Sequence, residues 1–123
     1  MRIALVQRRI VDGGKMVNAR LGVEAVRAAA RDGAELVCFA ELAFEEFYPQ
    51  RKAAGDYLEL AEEVPGPVTE MFCEVAKEVG VVIVLNLYER VGGCAFDCSP
   101  VIDGDGRLLG RVRMVHITDY ENF

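Results

Sequence analysis

The stretch PGPVTEMFCEVAKEVGVVIVL, residues 65–85, decides the fold class, because a helical pattern passes directly into a strand pattern. Apolar residues recur at helical spacing over residues 68–79, the prolines at the start suit a first helical turn, and Gly80 ends the helix. Residues 81–85 are all apolar, which is typical of a strand covered on both faces. The stretch therefore predicts an α/β protein in which this strand lies in the middle of the sheet.

Towards the N-terminus, the sequence predicts two further buried strands with a helix between them. The strands are the apolar runs at residues 1–6 and 36–39. Asn18 is a candidate helix cap, and Asp32-Gly33 supplies a stop with glycine in the left-handed conformation. The residues predicted to share one apolar face of this helix are Leu21, Ala25, Ala28 and Ala29.

Towards the C-terminus, residues 96–102 and 108–117 are predicted to form two antiparallel strands. The Asp-Gly pairs of residues 103–107 between them favour the positive φ angles of a tight hairpin turn. Residues 41–63 are predicted to be a loop with one short helix around residues 57–61. The element order β-α-β-loop-α-β-β-β predicts a mixed sheet with its helices on one face.

Two helices on one face leave the other face of this five-stranded sheet without a cover. The strand at residues 81–85 requires burial on both sides, so the pattern predicts that a layer is missing. The sequence also stops at Phe123 directly after a strand, without a closing helix. We therefore expect residues 1–123 to be a single incomplete domain.

The composition argues against several classes of protein. Hydrophobic residues make up 52% of the 123 residues and charged residues 28%, which indicates a packed core rather than a disordered chain. The net charge of -6 and the lack of a basic stripe argue against nucleic-acid binding. The longest apolar run, residues 79–87, is far shorter than the ~20 residues that cross a bilayer. Without a secretory leader, the sequence predicts a cytoplasmic protein whose four cysteines are reduced.

Glu41 is the first candidate for a catalytic residue. It follows the predicted strand at residues 36–39 and lies between apolar residues, where an ionised carboxylate is costly. A general base needs a raised pKa, and α/β sheets place their sites at the carboxyl ends of strands, so Glu41 suits this role. The alternative is a helix-capping or solvent-facing glutamate in a loop. The residues alone leave both interpretations open.

Other motifs in the sequence do not predict a metal or nucleotide site. His116, the single histidine, has no second ligand near it at metal-binding spacing and is interpreted as structural. Cys94 and Cys98 have the wrong spacing for a redox Cys-x-x-Cys pair. Gly13-Gly14-Lys15 lacks the rest of a phosphate-binding loop, and Asp103-Gly104-Asp105 lacks the later ligands of a calcium loop. We therefore expect neither a metal nor a cofactor.

Several segments, taken in order, resemble the N-terminal part of the nitrilase superfamily, the carbon-nitrogen hydrolases. They are MRIALVQ (1–7), GAELVCFAEL (33–42), PGP (65–67), DGRLLG (105–110) and RMVH (113–116). The sequence is most similar to the aliphatic amidase and N-carbamoyl-amine amidohydrolase branches. The resemblance implies the N-terminal half of a four-layer α-β-β-α sandwich, in which a second sheet packs on the first.

In that family a Cys thiolate attacks a nitrile or amide carbon, a Glu acts as general base, and a Lys stabilises the tetrahedral intermediate. The resemblance implies that Glu41 is the base, although Ala40 stands where the family usually has Pro. Met114 occupies the position of the Lys, and the family's Cys lies beyond the end of this sequence, so none of the four cysteines matches it. Arg111 and Arg113 leave their strand on the face opposite to Met114, so neither is expected to replace the Lys.

The resemblance also implies roles for three residues outside the catalytic set. Tyr48 is similar to the aromatic residues that line the mouth of the substrate pocket in relatives, with plain packing as the alternative. Glu89, predicted to end the third strand in Leu87-Tyr88-Glu89, resembles a family position with a structural hydrogen-bonding role. His116 is assigned a structural role near the site.

These observations predict the N-terminal part of a hydrolase that acts on a non-peptide carbon-nitrogen bond of a small amide, N-carbamoyl amine or nitrile. Without the Cys and the Lys, the 123-residue chain alone is expected to be inactive. The alternative is a non-catalytic binding or assembly module that pairs through its exposed sheet face, which the Met114 substitution favours. A flavodoxin-like binder is disfavoured because the phosphate loop is missing. The resemblance also implies a homo-oligomer, because relatives extend their sandwich across a dimer interface.

Overall fold

In a computed structural model, which describes residues 1–50 and 57–116, the chain forms two α-helices and a six-stranded sheet. The helices are α1 (Lys15–Arg31) and α2 (Pro67–Val79). The strands are β1 (Ile3–Val6), β2 (Leu36–Phe39), β3 (Val82–Val84), β4 (Leu87–Val91), β5 (Cys94–Ile102) and β6 (Leu108–Arg113). Short 3-10 helices cover Tyr48–Gln50 and Tyr57–Leu60. Within the two described ranges, no helix is long and apolar enough to cross a membrane.

The sheet is mixed, as the sequence predicts. Strands β1, β2 and β3 run parallel in that order, and β3 pairs antiparallel with the end of β5. Strand β5 continues along β4 on the same edge and pairs with β6 on its other edge. The prediction that the apolar strand is central is confirmed, because β3 lies between β2 and β5.

Several predicted boundaries are confirmed. Helix α2 begins at Pro67 and ends before Gly80, whose φ of 71° is left-handed. In the turn between β5 and β6, Gly106 has a φ of 86°, and the N–H of Asp103 donates to the carbonyl of Arg107 at 2.9 Å. Strand β6 ends at Arg113, earlier than predicted, and the last predicted strand residue, 117, lies outside the described residues.

The predicted count of five strands is wrong, because it omits β4. The side-chain amide of Asn86, which follows β3, donates a hydrogen bond to Asp97 on β5, and a new strand starts directly after it. Gly92, with a φ of 58°, then turns the chain into β5, which begins at Cys94 rather than at residue 96. Strand β4 contains the polar sequence Tyr88-Glu89-Arg90, so it does not appear as an apolar run in the sequence.

Two predictions about α1 are also wrong. Asn18 is not the cap, because the helix begins at Lys15 after Gly14. The Asn18 side chain instead binds the N–H and the carbonyl of Val11 in the preceding loop, at 3.0 and 2.9 Å. The buried apolar face lies elsewhere than predicted: Ala19, Val23 and Val26 are buried, whereas Leu21, Ala25, Ala28 and Ala29 are only half-buried. The predicted stop is confirmed by the φ of 82° at Gly33.

The core lies between the helices and one face of the sheet. Phe39 on β2, Phe44 in the following loop and Phe72 on α2 pack together, with ring centroids 5.2 to 5.4 Å apart. Gly22 on α1 leaves room for these rings, since a Cβ there would lie 3.0 Å from Phe44 and from Phe72. The cluster joins both helices to β2 and holds the loop after β2 against the core.

The other face of the sheet is open in the described part of the chain. Along β1, Ile3 and Leu5 are 55% and 80% exposed, whereas Ala4 and Val6 pack against the core. Val112 on β6 is 68% exposed. We call this surface the open face and define it by Ile3, Leu5 and Val112.

Candidate active site

Glu41 lies just past the carboxyl end of β2, where the chain turns away from the sheet. The next residue, Leu42, is buried and has a φ of 47°, which is uncommon for a residue other than glycine. Its N–H donates a 2.7 Å hydrogen bond to Oδ1 of Asn86, just past the end of β3. The turn that presents Glu41 is therefore fixed to the neighbouring parallel strand, at the edge where α/β sheets bind their ligands.

The carboxyl group of Asp97 on β5 lies close enough to that of Glu41 to affect its pKa. Partial burial raises the pKa of Glu41, and the nearby carboxyl group of Asp97 raises it further. Although the Glu41 side chain as a whole is exposed, its carboxyl group thus has an acidic neighbour.

Asn86 connects this carboxyl pair to the sheet. Its Nδ2 donates to Oδ1 of Asp97 at 2.6 Å and to Oγ of Ser99 at 3.2 Å, and the residue is buried. Neither Asn86 nor Asp97 belongs to the site that the sequence predicts. Each has a visible signal, because Asn86 interrupts the longest apolar run and Asp97 is an acidic residue within a predicted strand. Their proximity to Glu41 arises only through the long-range pairing of the sheet.

Met114, at the position that the resemblance assigns to a Lys, lies opposite Asp97 just past the end of β6. Its backbone N–H donates to the carbonyl of Asp97 at 2.9 Å. Opposite residues of antiparallel strands share a face of the sheet, so the Met114 and Asp97 side chains lie on the same face. Asp97 therefore lies near both Glu41 and Met114, two positions that the resemblance places in one site.

Arg111 and Arg113 lie on the opposite face and bind Glu89. Arg113 forms two hydrogen bonds with the Glu89 carboxylate, at 2.7 and 3.1 Å, and Nε of Arg111 lies 2.8 Å from it. Glu89 is 1% exposed, and the hydrogen bonds from Arg113 lower its pKa although burial opposes this. Strand alternation and these contacts keep both arginines away from Met114. Glu89 has the contacts of a structural residue.

Two tyrosines form an aromatic wall beside Asp97. The ring of Tyr48, the predicted substrate-binding residue, is buried and packs on Tyr88 with centroids 5.4 Å apart. Tyr88 lies opposite Asp97 in the β4–β5 pairing. Burial raises the pKa of both tyrosines and the charge of Asp97 adds to it, so both phenols are neutral near pH 7. His116, in contrast, is exposed at the end of the described residues.

Two cationic residues lie near the loop that follows β2. Lys15, in the first turn of α1, pairs with Glu45 at 2.9 Å and with Glu62 at 3.6 Å. These ion pairs tie the loop to α1 and occupy the Lys15 ammonium group. Arg8, after β1, lines a cleft of about 170 Å³ together with Glu41.

All four cysteines are free thiols, as the sequence predicts. Burial raises the pKa of Cys98 to about 12, and its hydrogen bond with Glu89 adds to this rise. Burial also raises the pKa of Cys73 on α2. The thiolate is the nucleophilic form of cysteine, so neither environment activates its thiol.

Comparison with known proteins identifies relatives over almost the whole chain. The model of the carbon-nitrogen hydrolase family matches residues 2–123. The chain is similar to N-carbamoylputrescine amidase of Solanum lycopersicum, with 35% identity over 95 residues that cover 76% of this chain and 31% of that protein. It is also similar to an omega-amidase of Homo sapiens, with 31% identity over 121 residues that cover 98% of this chain and 42% of that protein.

Among solved structures, the chain is similar to a carbon-nitrogen hydrolase from Helicobacter pylori G27. The TM-score is 0.78 at 21% sequence identity, and the match covers 98% of this chain and 41% of that one. At this identity the likeness shows the fold alone. The chain spans between 31% and 42% of the length of these three proteins.

Proposed function

The chain belongs to the carbon-nitrogen hydrolase family of the nitrilase superfamily, and on this premise we propose that Glu41 is the general base of an enzyme that hydrolyses non-peptide carbon-nitrogen bonds. The observation that supports this role most is the proximity of Asp97 to the Glu41 carboxyl, which together with burial raises the pKa of Glu41. A carboxylate whose pKa is raised towards neutrality is a better proton acceptor at neutral pH. Its position past the end of a parallel strand also suits a site of reaction.

The proposed substrates are small amides, N-carbamoyl amines or nitriles. Two relatives that align with this chain are an N-carbamoylputrescine amidase and an omega-amidase, both named as amidases. The aromatic wall of Tyr48 and Tyr88 beside Asp97 would give such a substrate an apolar surface next to the carboxyl groups. The proposed chemistry uses side chains alone.

In the proposed reaction, Glu41 accepts the proton of a Cys thiol, and the thiolate attacks the substrate carbon. From an amide or N-carbamoyl amine, the nitrogen leaves with a proton as the C–N bond breaks, and water then hydrolyses the acyl-enzyme. A nitrile first forms a thioimidate, which takes up one water and loses ammonia to give the same kind of acyl-enzyme. None of the four cysteines stands at the position of the family's nucleophile, and Met114 replaces the charge-stabilising Lys. We therefore propose that the 123-residue chain alone is inactive and that a further segment or a second chain provides the nucleophile.

The test is an assay of ammonia or amine release by the protein at its natural length. The substrates are simple aliphatic amides, N-carbamoyl amines and nitriles. Glu41→Gln keeps the shape of the side chain and removes the base, so we expect kcat to fall by roughly 10²–10⁴-fold. Glu74→Gln is the matched control, because Glu74 is an exposed residue of α2. Unchanged hydrolysis by Glu41→Gln would reject the role of Glu41.

A second candidate function is a non-catalytic module that pairs through its open face. Two observations favour it: Met114 offers no charge to an intermediate, and Leu5 and Val112 are 80% and 68% exposed. Size-exclusion chromatography with light scattering, together with the intact mass from the native source, separates the candidates. A mass of 13.6 kDa and a discrete dimer without hydrolysis would support the module. A larger mass with hydrolysis would support the enzyme.

Two further proposals concern assembly and location. Self-association of the 123-residue chain is proposed because its open face is apolar at Ile3, Leu5 and Val112. The cytoplasm is proposed as the location because all four cysteines are free, which suits a reducing compartment.

A further inference from the structure

Lys15, the first residue of α1, contacts two separate parts of the chain that connects β2 to α2. This connection spans residues 40–66. Nζ of Lys15 lies 2.9 Å from Oε1 of Glu45, near the start of the connection. It also donates a hydrogen bond to the carbonyl of Leu60 and lies 3.6 Å from Oε2 of Glu62, near the end. One ammonium group therefore joins the two parts of the β2–α2 connection.

The end of the connection is fixed independently of Lys15. The N–H of Glu62 donates to the carbonyl of Tyr88 at 3.0 Å, and the carbonyl of Glu62 accepts the N–H of Arg90 at 2.7 Å. Glu62 thus pairs with the edge of β4. Its Oε1 also accepts the N–H of Val68, in the first turn of α2, at 3.0 Å. Glu62 is therefore a fixed point to which Lys15 is bound.

Glu45, at the start of the connection, relies on Lys15 to balance its charge. The Glu45 side chain is 16% exposed, and its second oxygen, Oε2, is buried without a hydrogen-bond partner in the described part of the chain. A carboxylate in such a place is costly when its cation is removed. Without Lys15, we expect Glu45 to turn towards solvent and to draw its part of the connection with it.

Tyr48, the proposed substrate-binding residue, follows Glu45 by three positions. Its ring is buried and packs on Tyr88, with centroids 5.4 Å apart. Tyr48 and Lys15 line the same cleft, which has a volume of about 500 Å³. A displacement of Glu45 would therefore act on the aromatic wall of the proposed site.

The turn that presents Glu41 has anchors of its own. The N–H of Leu42 donates to Oδ1 of Asn86 at 2.7 Å, and Asn86 is 7% exposed. Phe44, which is 3% exposed, is held in the aromatic cluster of the core. Both anchors precede residue 45 in the connection and neither uses Lys15. The proposed base and the aromatic wall are thus held by different contacts.

We propose that Lys15 is a positioning residue for substrate binding, whose ion pair with Glu45 keeps Tyr48 in the arrangement that binds the substrate. The proposal rests on the proposed function and on the role of Tyr48 in it. Without the ion pair, the binding arrangement is populated for only part of the time, so the apparent affinity for substrate falls by that fraction. Bound substrate restores the arrangement, and the turn of Glu41 is unaffected, so kcat changes little.

The first test is steady-state hydrolysis of simple aliphatic amides and N-carbamoyl amines by the natural-length protein. Lys15→Met keeps an unbranched apolar side chain and removes the charge. We expect it to raise KM about 10-fold, while kcat stays within about 2-fold of the wild type. Lys77→Met removes the same charge from an exposed position on α2 and should leave both constants unchanged. An unchanged KM in Lys15→Met overturns the proposal, whatever happens to kcat.

A second substitution tests whether the unpaired charge of Glu45 is the cause. In the Lys15→Met background, Glu45→Gln removes the carboxylate that has lost its cation. We therefore expect the double variant to bind substrate better than Lys15→Met does, with a KM within about 3-fold of the wild type. A double variant whose KM remains as high as that of Lys15→Met overturns the proposal.

Hydrogen exchange followed by mass spectrometry gives a measurement that does not depend on activity. We expect residues 45–49 to exchange faster in Lys15→Met than in the wild type, and α2 to exchange alike in both. Equal exchange of residues 45–49 in the two proteins overturns the proposal. Lys15→Gln keeps a hydrogen-bond donor and replaces Lys15→Met in both measurements if Lys15→Met does not fold, with the same changes expected.

The failure of this proposal is distinguishable from the failure of the proposed function. Unchanged KM and exchange in Lys15→Met reject the role of Lys15, while a large loss of hydrolysis in Glu41→Gln still supports the base. Conversely, faster exchange in Lys15→Met together with full hydrolysis by Glu41→Gln keeps the structural effect of the ion pair and rejects the proposed function.

Discussion

The backbone N–H of Leu42 donates a hydrogen bond to Oδ1 of Asn86 at 2.7 Å, across 44 residues of sequence. Leu42 holds a left-handed φ of 47°, which costs a non-glycine residue about 1 kcal/mol or more. The hydrogen bond and the burial of the Leu42 side chain offset this cost. The turn that presents Glu41 therefore depends on a residue that follows the neighbouring strand.

Asn86→Ala is expected to destabilise the protein by about 1–3 kcal/mol, because it leaves the buried N–H of Leu42 without its partner. It also releases Asp97 from its 2.6 Å hydrogen bond. Urea unfolding followed by circular dichroism measures the change. Ser99→Ala is the control and should cost less, since it removes only the weaker 3.2 Å bond to Asn86. Equal losses in the two variants would show that Asn86 has no special role in the turn.

The sequence predicts the elements that local patterns define. Helix α2 has a complete apolar face and a glycine stop, and the turn before β6 has its Asp-Gly pairs, so both were predicted. Strand β4 was not predicted, because its polar residues become strand only through pairing with β5. The apolar face of α1 was misplaced, because alanines spread around the helix give no clear periodicity.

The candidate site likewise contains one residue that the sequence predicts and others that depend on long-range strand pairing. Glu41 was identified from its place after a buried strand and from the resemblance. Asp97 and Asn86 were not identified, because their role follows from the antiparallel return of β5 beside β3 and β4, which no local pattern encodes. The side to which Arg111 and Arg113 point was predicted from strand alternation, and their contact with Glu89 agrees with it.

Glu89→Gln is expected to cost about 1–3 kcal/mol of unfolding free energy, because it weakens the charged hydrogen bonds of Glu89 while Arg111 and Arg113, 38% and 36% exposed, stay solvated. The folded-state pKa of Glu89 is lowered, so its stabilising effect is present above the ordinary glutamate pKa and is lost as the pH falls through the folded-state value. Wild type should therefore lose more stability than Glu89→Gln on acidification below about pH 4.3.

Thermal unfolding at several pH values tests the Glu89 prediction. Glu74→Gln, an exposed substitution of the same type, is the control and should follow the wild-type pH dependence. Parallel pH curves for wild type and Glu89→Gln would contradict the stabilising role of the Glu89 ion pairs.

Gly22→Ala is expected to destabilise the protein by about 1–3 kcal/mol, because the new Cβ would overpack the aromatic cluster. That Cβ would lie 3.0 Å from Phe44 and Phe72 and 3.2 Å from Phe39. The better helix propensity of alanine offsets at most about 1 kcal/mol of this loss. Gly110→Ala is the control, since a Cβ at Gly110 meets no atom within 4 Å. A stabilised Gly22→Ala variant would show that the rings move apart easily.

The Leu5→Ser variant tests whether the open face is covered by protein or exposed to solvent. Leu5 is 80% exposed in the described part of the chain, so a bare face would make the substitution nearly neutral. A face covered by a further layer or by a second copy would make it cost about 2 kcal/mol, the transfer free energy of a fully buried leucine. We expect the larger cost in the natural-length protein, measured by urea unfolding, because an apolar face of this kind requires a partner.

Val91→Ser, at a half-exposed position at the end of β4, is the control and should change the stability little. A Leu5→Ser variant as stable as Val91→Ser would mean that the open face is solvated in the functional protein, and the proposed pairing through this face would then be wrong.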